Sequence, residues 1–235
     1  MKLKPTLVAA ACSLMALATA NAATISWSSA VYTTNGGFLQ NLDTGIIDQS
    51  NVISTLIAEN VGGVAEVFDG ISFADGTIDF GNTNPSGISA LGYHEGTPAG
   101  NTNLAKFGTY SGVAGPSTVN LSGLTVGEEY RIQLLFFDGL LDGDANTRTV
   151  SLDGTDQGRY TFGVPGVSWG NGLIVTGIFT ADDADQDFTI EIFDQATSDS
   201  LGGQLNAIVV QQIPEPTTAL LGSLGLLALL RRRRG

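Results

Sequence analysis

Apolar and polar residues alternate along most of the chain with a period of two, and helical periodicity is nearly absent, so the elements it predicts are strands. The clearest is 129–138, where Tyr130, Ile132, Leu134 and Phe136 face one way and Arg131, Gln133, Leu135 and Phe137 the other. A strand apolar on both sides towards its C-terminal end is expected to be covered on both sides there. Residues 24–30 alternate with Ile25 and Trp27 on one face. Residues 67–73 form a predicted hairpin around Asp69-Gly70, and Asp75-Gly76 turns the chain again before a further strand at 77–80. Strands are also expected at 148–153, ending on Asp153-Gly154, and at 173–180, 187–193 and 204–211. Residues 50–60 are compatible with a capped helix, whereas 55–59 fit a strand running into Gly62-Gly63. Glycine-rich turns between short strands predict a single all-β sandwich.

The two ends of the chain break this pattern. Lys2 and Lys4 precede an apolar run from Leu7 to Leu17, followed by Ala20-Asn21-Ala22, the arrangement of a signal peptide cut after Ala22. At the other end Pro214-Glu215-Pro216 precedes an uncharged apolar run, 217–230, and then Arg231, Arg232, Arg233 and Arg234. As a helix that run spans about 21 Å, short against a bilayer core of about 30 Å, which suits a segment held briefly in the inner membrane and then processed. The arginines are expected to stay cytoplasmic, with everything before Pro214 exported. The tail resembles the PEP-CTERM sorting signal, part for part. That resemblance implies export through the Sec translocon, recognition and cleavage by an exosortase, and a final location in the cell envelope, on the outer surface or outside the cell. The divisions expected are therefore 1–22 signal peptide, 23–213 β-sandwich and 214–235 sorting signal with a hydrophobic helix.

Setting the signals aside changes the charge. The whole chain carries a formal −13, but six of its ten basic residues lie in the two signals. Only Lys106, Arg131, Arg148 and Arg159 remain in residues 23–213, and four cations against 22 acids leave that body at −18. Such a surface repels phosphates, so nucleic acid is excluded as a partner class. Cys12, the sole cysteine, lies in the signal peptide, so the exported body has no disulfide and relies on its core.

Residues 130–138, 148–154 and 202–210, with 57–63 in the first half, are similar to malectin-like and galactose-binding-like jelly rolls. The resemblance implies a jelly-roll-like antiparallel sandwich and a carbohydrate-interacting role, with exopolysaccharide as the expected partner. Aromatic residues in loops suit sugar stacking, which makes Trp169, Tyr93, His94 and Tyr110 the candidate ligand-binding residues. Arg148 opens a strand on the face of Val150 and Leu152, so a carboxylate is expected beside it, and Asp138 is the candidate for a fold-holding ion pair. Asp142, Asp144 and Asn146 place oxygens at alternate positions of one loop and are the candidate ligands of a structural Ca²⁺, with the 182–187 loop similar in spacing.

No catalytic constellation is expected. Gly166-Val167-Ser168-Trp169-Gly170 has the spacing of a nucleophile elbow, but no helix is expected after it and the lone histidine, His94, precedes the serine. The chain therefore reads as a non-catalytic carbohydrate-interacting module of the envelope or matrix. The alternatives are a purely structural biofilm component without a specific ligand, and a polysaccharide-acting hydrolase.

Overall fold

The computed structural model describes residues 23–28, 30–32, 46–83, 108–136, 147–161 and 172–215, and among these it contains strands and turns but no helix. The strands in chain order are β1 (Ser26–Trp27), β2 (Val31–Tyr32), β3 (Ser54–Asn60), β4 (Glu66–Phe68), β5 (Ile71–Asp75), β6 (Asn82–Thr83), β7 (Thr109–Tyr110) and β8 (Ser117–Leu121). They continue as β9 (Glu129–Phe136), β10 (Thr147–Leu152), β11 (Thr155–Thr161), β12 (Leu173–Thr180), β13 (Gln186–Asp194), β14 (Ser200–Gly202), β15 (Gln204–Leu205) and β16 (Ala207–Ile213).

The main sheet runs β1-β12-β9-β16-β3-β5-β4, with β2 also on β12. Its pairs are antiparallel except β3 with β5, which is parallel. The facing sheet runs β11-β10-β13-β14, with β8 also on β13, and β15-β7-β6 form a small third sheet. The all-β sandwich is as expected from the alternation.

The core lies between the two larger sheets. Ile132, Leu134 and Phe136 of β9 meet Val150 and Leu152 of β10, Val119 and Leu121 of β8, and Phe188, Ile190 and Ile192 of β13, all buried. Each such side chain contributes about 1.5–3 kcal/mol on leaving water. Leu135, Ile174, Ala207 and Val209 on the other face of the main sheet pack under Ile47, Phe68, Ile71 and Phe73. The main sheet is thus covered on both faces, which explains the two-sided apolar character of β9.

The Asp69-Gly70 and Asp153-Gly154 turns, but not Asp75-Gly76, form as two-residue hairpin loops with φ positive at each position: 51° and 77° at Asp69 and Gly70, 50° and 76° at Asp153 and Gly154. The second also ties the sheets together, because Asp153 accepts from the Trp27 indole at 3.0 Å and from the Thr189 amide at 2.9 Å.

Two sequence expectations change and one open alternative is resolved. Among the described residues of 24–30 the strand is confined to β1, Ser26–Trp27, and a second short strand, β2, follows at Val31–Tyr32. Of the two readings of residues 50–60 the strand holds, as β3 over Ser54–Asn60, with 50–53 forming a turn before it. Residues 77–80 are not a strand: the Thr77 amide and hydroxyl bind the Glu59 carboxylate at 2.9 and 3.0 Å, which turns the backbone out of the ladder.

Candidate functional site

Strand β16 lies in the middle of the main sheet, paired with β9 on one side and β3 on the other. Its register holds to the last residue, with Gln212 opposite Tyr130 and Ile213 opposite Glu129. Gln212 is also fastened by its neighbours, since its carbonyl accepts from the Ile53 amide at 2.9 Å and its carboxamide donates to Glu128 at 3.0 Å. Pro214 follows directly, so Pro214 and Glu215 emerge from the centre of the sheet with no intervening linker.

Glu215 acts on this end of the fold. Burial raises the Glu129 carboxyl above its ordinary 4.5, and the charge of Glu215 raises it further. A raised carboxylate costs stability while ionised, and the cost is relieved as pH falls through its folded value. Glu215→Gln is therefore expected to lower the Glu129 titration midpoint without returning it to 4.5, because burial remains. Carbon-detected NMR of the side-chain carboxyls measures this, and an unchanged midpoint would disprove the coupling.

The N-terminal end of the body sits at the same end of the sandwich. Glu129 is opposite Thr180, and the loop that follows Thr180 holds Ala23, whose amide donates to Asp182 at 3.1 Å. Ile53 and Val126, 58% and 61% exposed, lie beside these chain ends.

A second feature is an open cavity of about 490 Å³ at the seam between the sheets, lined by Ile25, Trp27, Ser28, Thr155, Asp156 and Gln157. Trp27 walls it. The indole lies over Gly177, where a Cβ would come within 2.7 Å of the ring, and its edge meets Phe188 at 5.5 Å between centroids. The glycine is what lets the ring lie flat on β12. The cavity thus combines an aromatic wall with two hydroxyls, a carboxylate and a carboxamide, groups able to stack on and hydrogen-bond a polyhydroxylated ligand.

The sequence-derived candidates are distributed differently. Trp169, Tyr93, His94, Asp142, Asp144, Asn146, Pro216 and Arg231–234 lie outside the described residues. Tyr110 is in a strand, β7, opposite Gln204 and Asn82, and is half-buried instead of standing in a loop. Arg148 does form an ion pair beside the core, but its carboxylate is Asp194, 2.9 Å away and directly across the β10–β13 ladder. Asp138 lies outside the described residues. In the 182–187 segment, Asp183 accepts from the Ala184 amide within the turn, whereas Asp187 belongs to β13 and accepts from Asn120 across the β8–β13 ladder. Among the described residues no cluster of three or more His, Cys, Asp or Glu side chains is placed to hold a metal.

Sequence reasoning missed a buried polar row on the outer face of the main sheet. Arg131, Gln133 and Gln211 are 6%, 1% and 1% exposed. Residues 48–50 cross over them as a strap: Arg131 donates to the Asp48 and Ser50 carbonyls at 2.8 and 3.0 Å, while Gln133 exchanges bonds with the Asp48 backbone at 2.8 and 3.1 Å. The available signal was polar residues facing outward on a strand whose neighbours are apolar.

The C-terminal residues 212–234 match the PEP-CTERM protein-sorting motif, and the match begins inside β16, at Gln212. No curated protein matches the chain. Similar solved structures include the ANX2 ectodomain from Arabidopsis thaliana, with 11% identity, a TM-score of 0.34 and coverage of 69% of this chain and 50% of that one. The ANXUR2 extracellular domain from the same plant has 11% identity and a TM-score of 0.35, covering 69% and 49%. A complex of the plant peptide RALF23 with FER and LLG2 has 13% identity and a TM-score of 0.33, covering 76% and 56%. The chain spans about half the length of these ectodomains, and none of their residues is carried over. The motif at 212–234 makes this chain an exported protein that carries a PEP-CTERM signal for processing by exosortase.

Proposed function

We propose that the protein is delivered by exosortase sorting to the cell envelope or extracellular matrix, where its sandwich acts as a non-catalytic module that engages carbohydrate. The sorting motif leading straight out of central strand β16 is the observation that carries the first part. It brings the end of the body bearing Ile53 and Val126 close to the membrane before cleavage. The Trp27 seam, with Ser28, Thr155, Asp156 and Gln157 around it, supports the second part. Tyr93, His94 and Trp169 would add further stacking surface, and Asp142, Asp144 and Asn146 would supply oxygen ligands for a Ca²⁺.

The test is a glycan array probed with residues 23–213, with and without Ca²⁺. Saturable binding is expected to at least one neutral polysaccharide, since a body of formal −18 repels acidic ones. Asp156→Ala with Gln157→Ala is expected to weaken it about tenfold, the size of one or two lost polar contacts in a ligand site. Trp169→Ala serves as the second variant. Absence of binding in both conditions rejects the carbohydrate reading and leaves a purely structural matrix component. The sorting part is tested separately: Arg231–234 replaced by serine is expected to abolish C-terminal processing, and unchanged processing would overturn it.

A further inference from the structure

We propose that the fold contains a receptor for its own processed N-terminus: the α-ammonium of Ala23, released when the Ala22–Ala23 peptide bond is hydrolysed, is bound by Asp182 and Gln186. Two independent features meet at Ala23. Its backbone nitrogen donates to Asp182 Oδ1 at 3.1 Å, and its carbonyl accepts from Gln186 Nε2 at 2.9 Å. Gln186 is only 3% exposed, and its Oε1 is buried without a hydrogen-bond partner. The orientation of that carboxamide is set by its surroundings. Nε2 faces two carbonyls, those of Ala23 and of Asp187 at 2.9 and 3.2 Å, so exchanging the two ends would set oxygen against oxygen.

A donor is therefore missing at this spot, and an internal residue cannot supply it. The Ala23 amide has one N–H, which Asp182 takes. Hydrolysis adds water across the bond, leaves a carboxylate on Ala22, and turns the Ala23 nitrogen into an ammonium with three N–H donors and a positive charge. One donor stays on Asp182 and a second is available to Gln186 Oε1, whose desolvation no bond now offsets. The charge is also matched, because Asp182, Asp183 and Asp185 precede Gln186 and Asp187 follows it, on a body of formal −18. The Ala20-Asn21-Ala22 pattern independently places the cut at this bond. A chain starting one residue earlier or later would misplace the ammonium by about 3.3 Å. Cleavage thus offers a donor to the buried Gln186 beside the exposed Asp182 contact, and the mature sandwich is more stable than the same sandwich carrying its leader.

The inference rests on the export reading only for the cut itself. It is tested on mature protein exported by the cell in a Lys106→Arg background, where the α-amino group is the sole remaining amine of the body. Intact mass and N-terminal sequencing are expected to give Ala23. Acetylating that amine is expected to lower the folded-to-unfolded ratio about tenfold in urea unfolding, the scale of a charge-assisted hydrogen bond. The effect is expected to shrink in Asp182→Asn, and a chain beginning at Asn21 is expected to behave like the acetylated one. Equal unfolding midpoints for free and acetylated chains overturn the proposal, as does an acetylation effect undiminished in Asp182→Asn. Export with a start other than Ala23 overturns it while leaving the export reading intact, whereas an uncleaved leader defeats both.

Discussion

Arg131→Ala is expected to destabilise the sandwich by about 3 kcal/mol, because it removes a charged donor from a site buried on nearly all sides. The guanidinium holds two backbone carbonyls of the strap and lies 3.2 Å from the Asp48 carboxylate. Without it the strap loses its anchor on β9, and Gln133 and Gln211, bonded to each other at 3.2 Å, are opened to water. Asp48→Asn is expected to cost only about 0.5 kcal/mol, since that side chain is 51% exposed and its ion pair is solvent-screened. Urea unfolding of both variants measures the ratio. Equal costs would show that the ion pair, and not the pair of carbonyl bonds, secures the strap.

The same site has a pH signature. Burial pushes the Asp48 carboxyl up, but hydrogen bonds from the Ser50 side chain and amide, together with the Arg131 charge, bring it below its ordinary 3.8. A carboxylate with a depressed folded value stabilises at pH above its unfolded value, and that stability is lost as pH falls through the folded one. The advantage of wild type over Asp48→Asn is therefore expected above about pH 4 and to fade below it.

Gly76→Ala is expected to cost at least about 3 kcal/mol, beyond the usual range for overpacking. A Cβ there would lie 2.5 Å from the Asn60 carbonyl oxygen and from Val61 Cα, and 2.8 Å from the Gly62 nitrogen. All three are backbone atoms at the turn where β3 ends, so no rotamer change relieves the clash. Gly70→Ala is the control: φ is 77° but nothing lies within 4 Å, so only the left-handed backbone penalty of about 1–2 kcal/mol applies. Thermal unfolding of the two variants separates crowding from backbone strain.

Much of the fold was legible because its cause is local. Alternation marked β9, β12, β13 and most of β16, and Asp-Gly placed two hairpins at their turns. Edge strand β11 was not legible: its sequence, Thr155-Asp156-Gln157-Gly158-Arg159-Tyr160-Thr161, is polar, and the hairpin and its pairing with β10 make it a strand. The partner of Arg148 was misassigned because Asp138 is near in sequence, whereas Asp194 is brought across from it by the β10–β13 register.

What the sequence by itself determined is the all-β class, the acidic cysteine-free body and the sorting tail, since each follows from residue order or composition along a short stretch. Only the tertiary structure decided that Arg131 and Gln133 are roofed by a strap 83 and 85 residues away in the chain, with Gln211 bonded beside them, that Trp27 walls a seam, and that Ala23 and Pro214 leave from one end. These depend on register and on which segments cover a sheet face. They are set by long-range packing energy, and a local pattern carries no record of it.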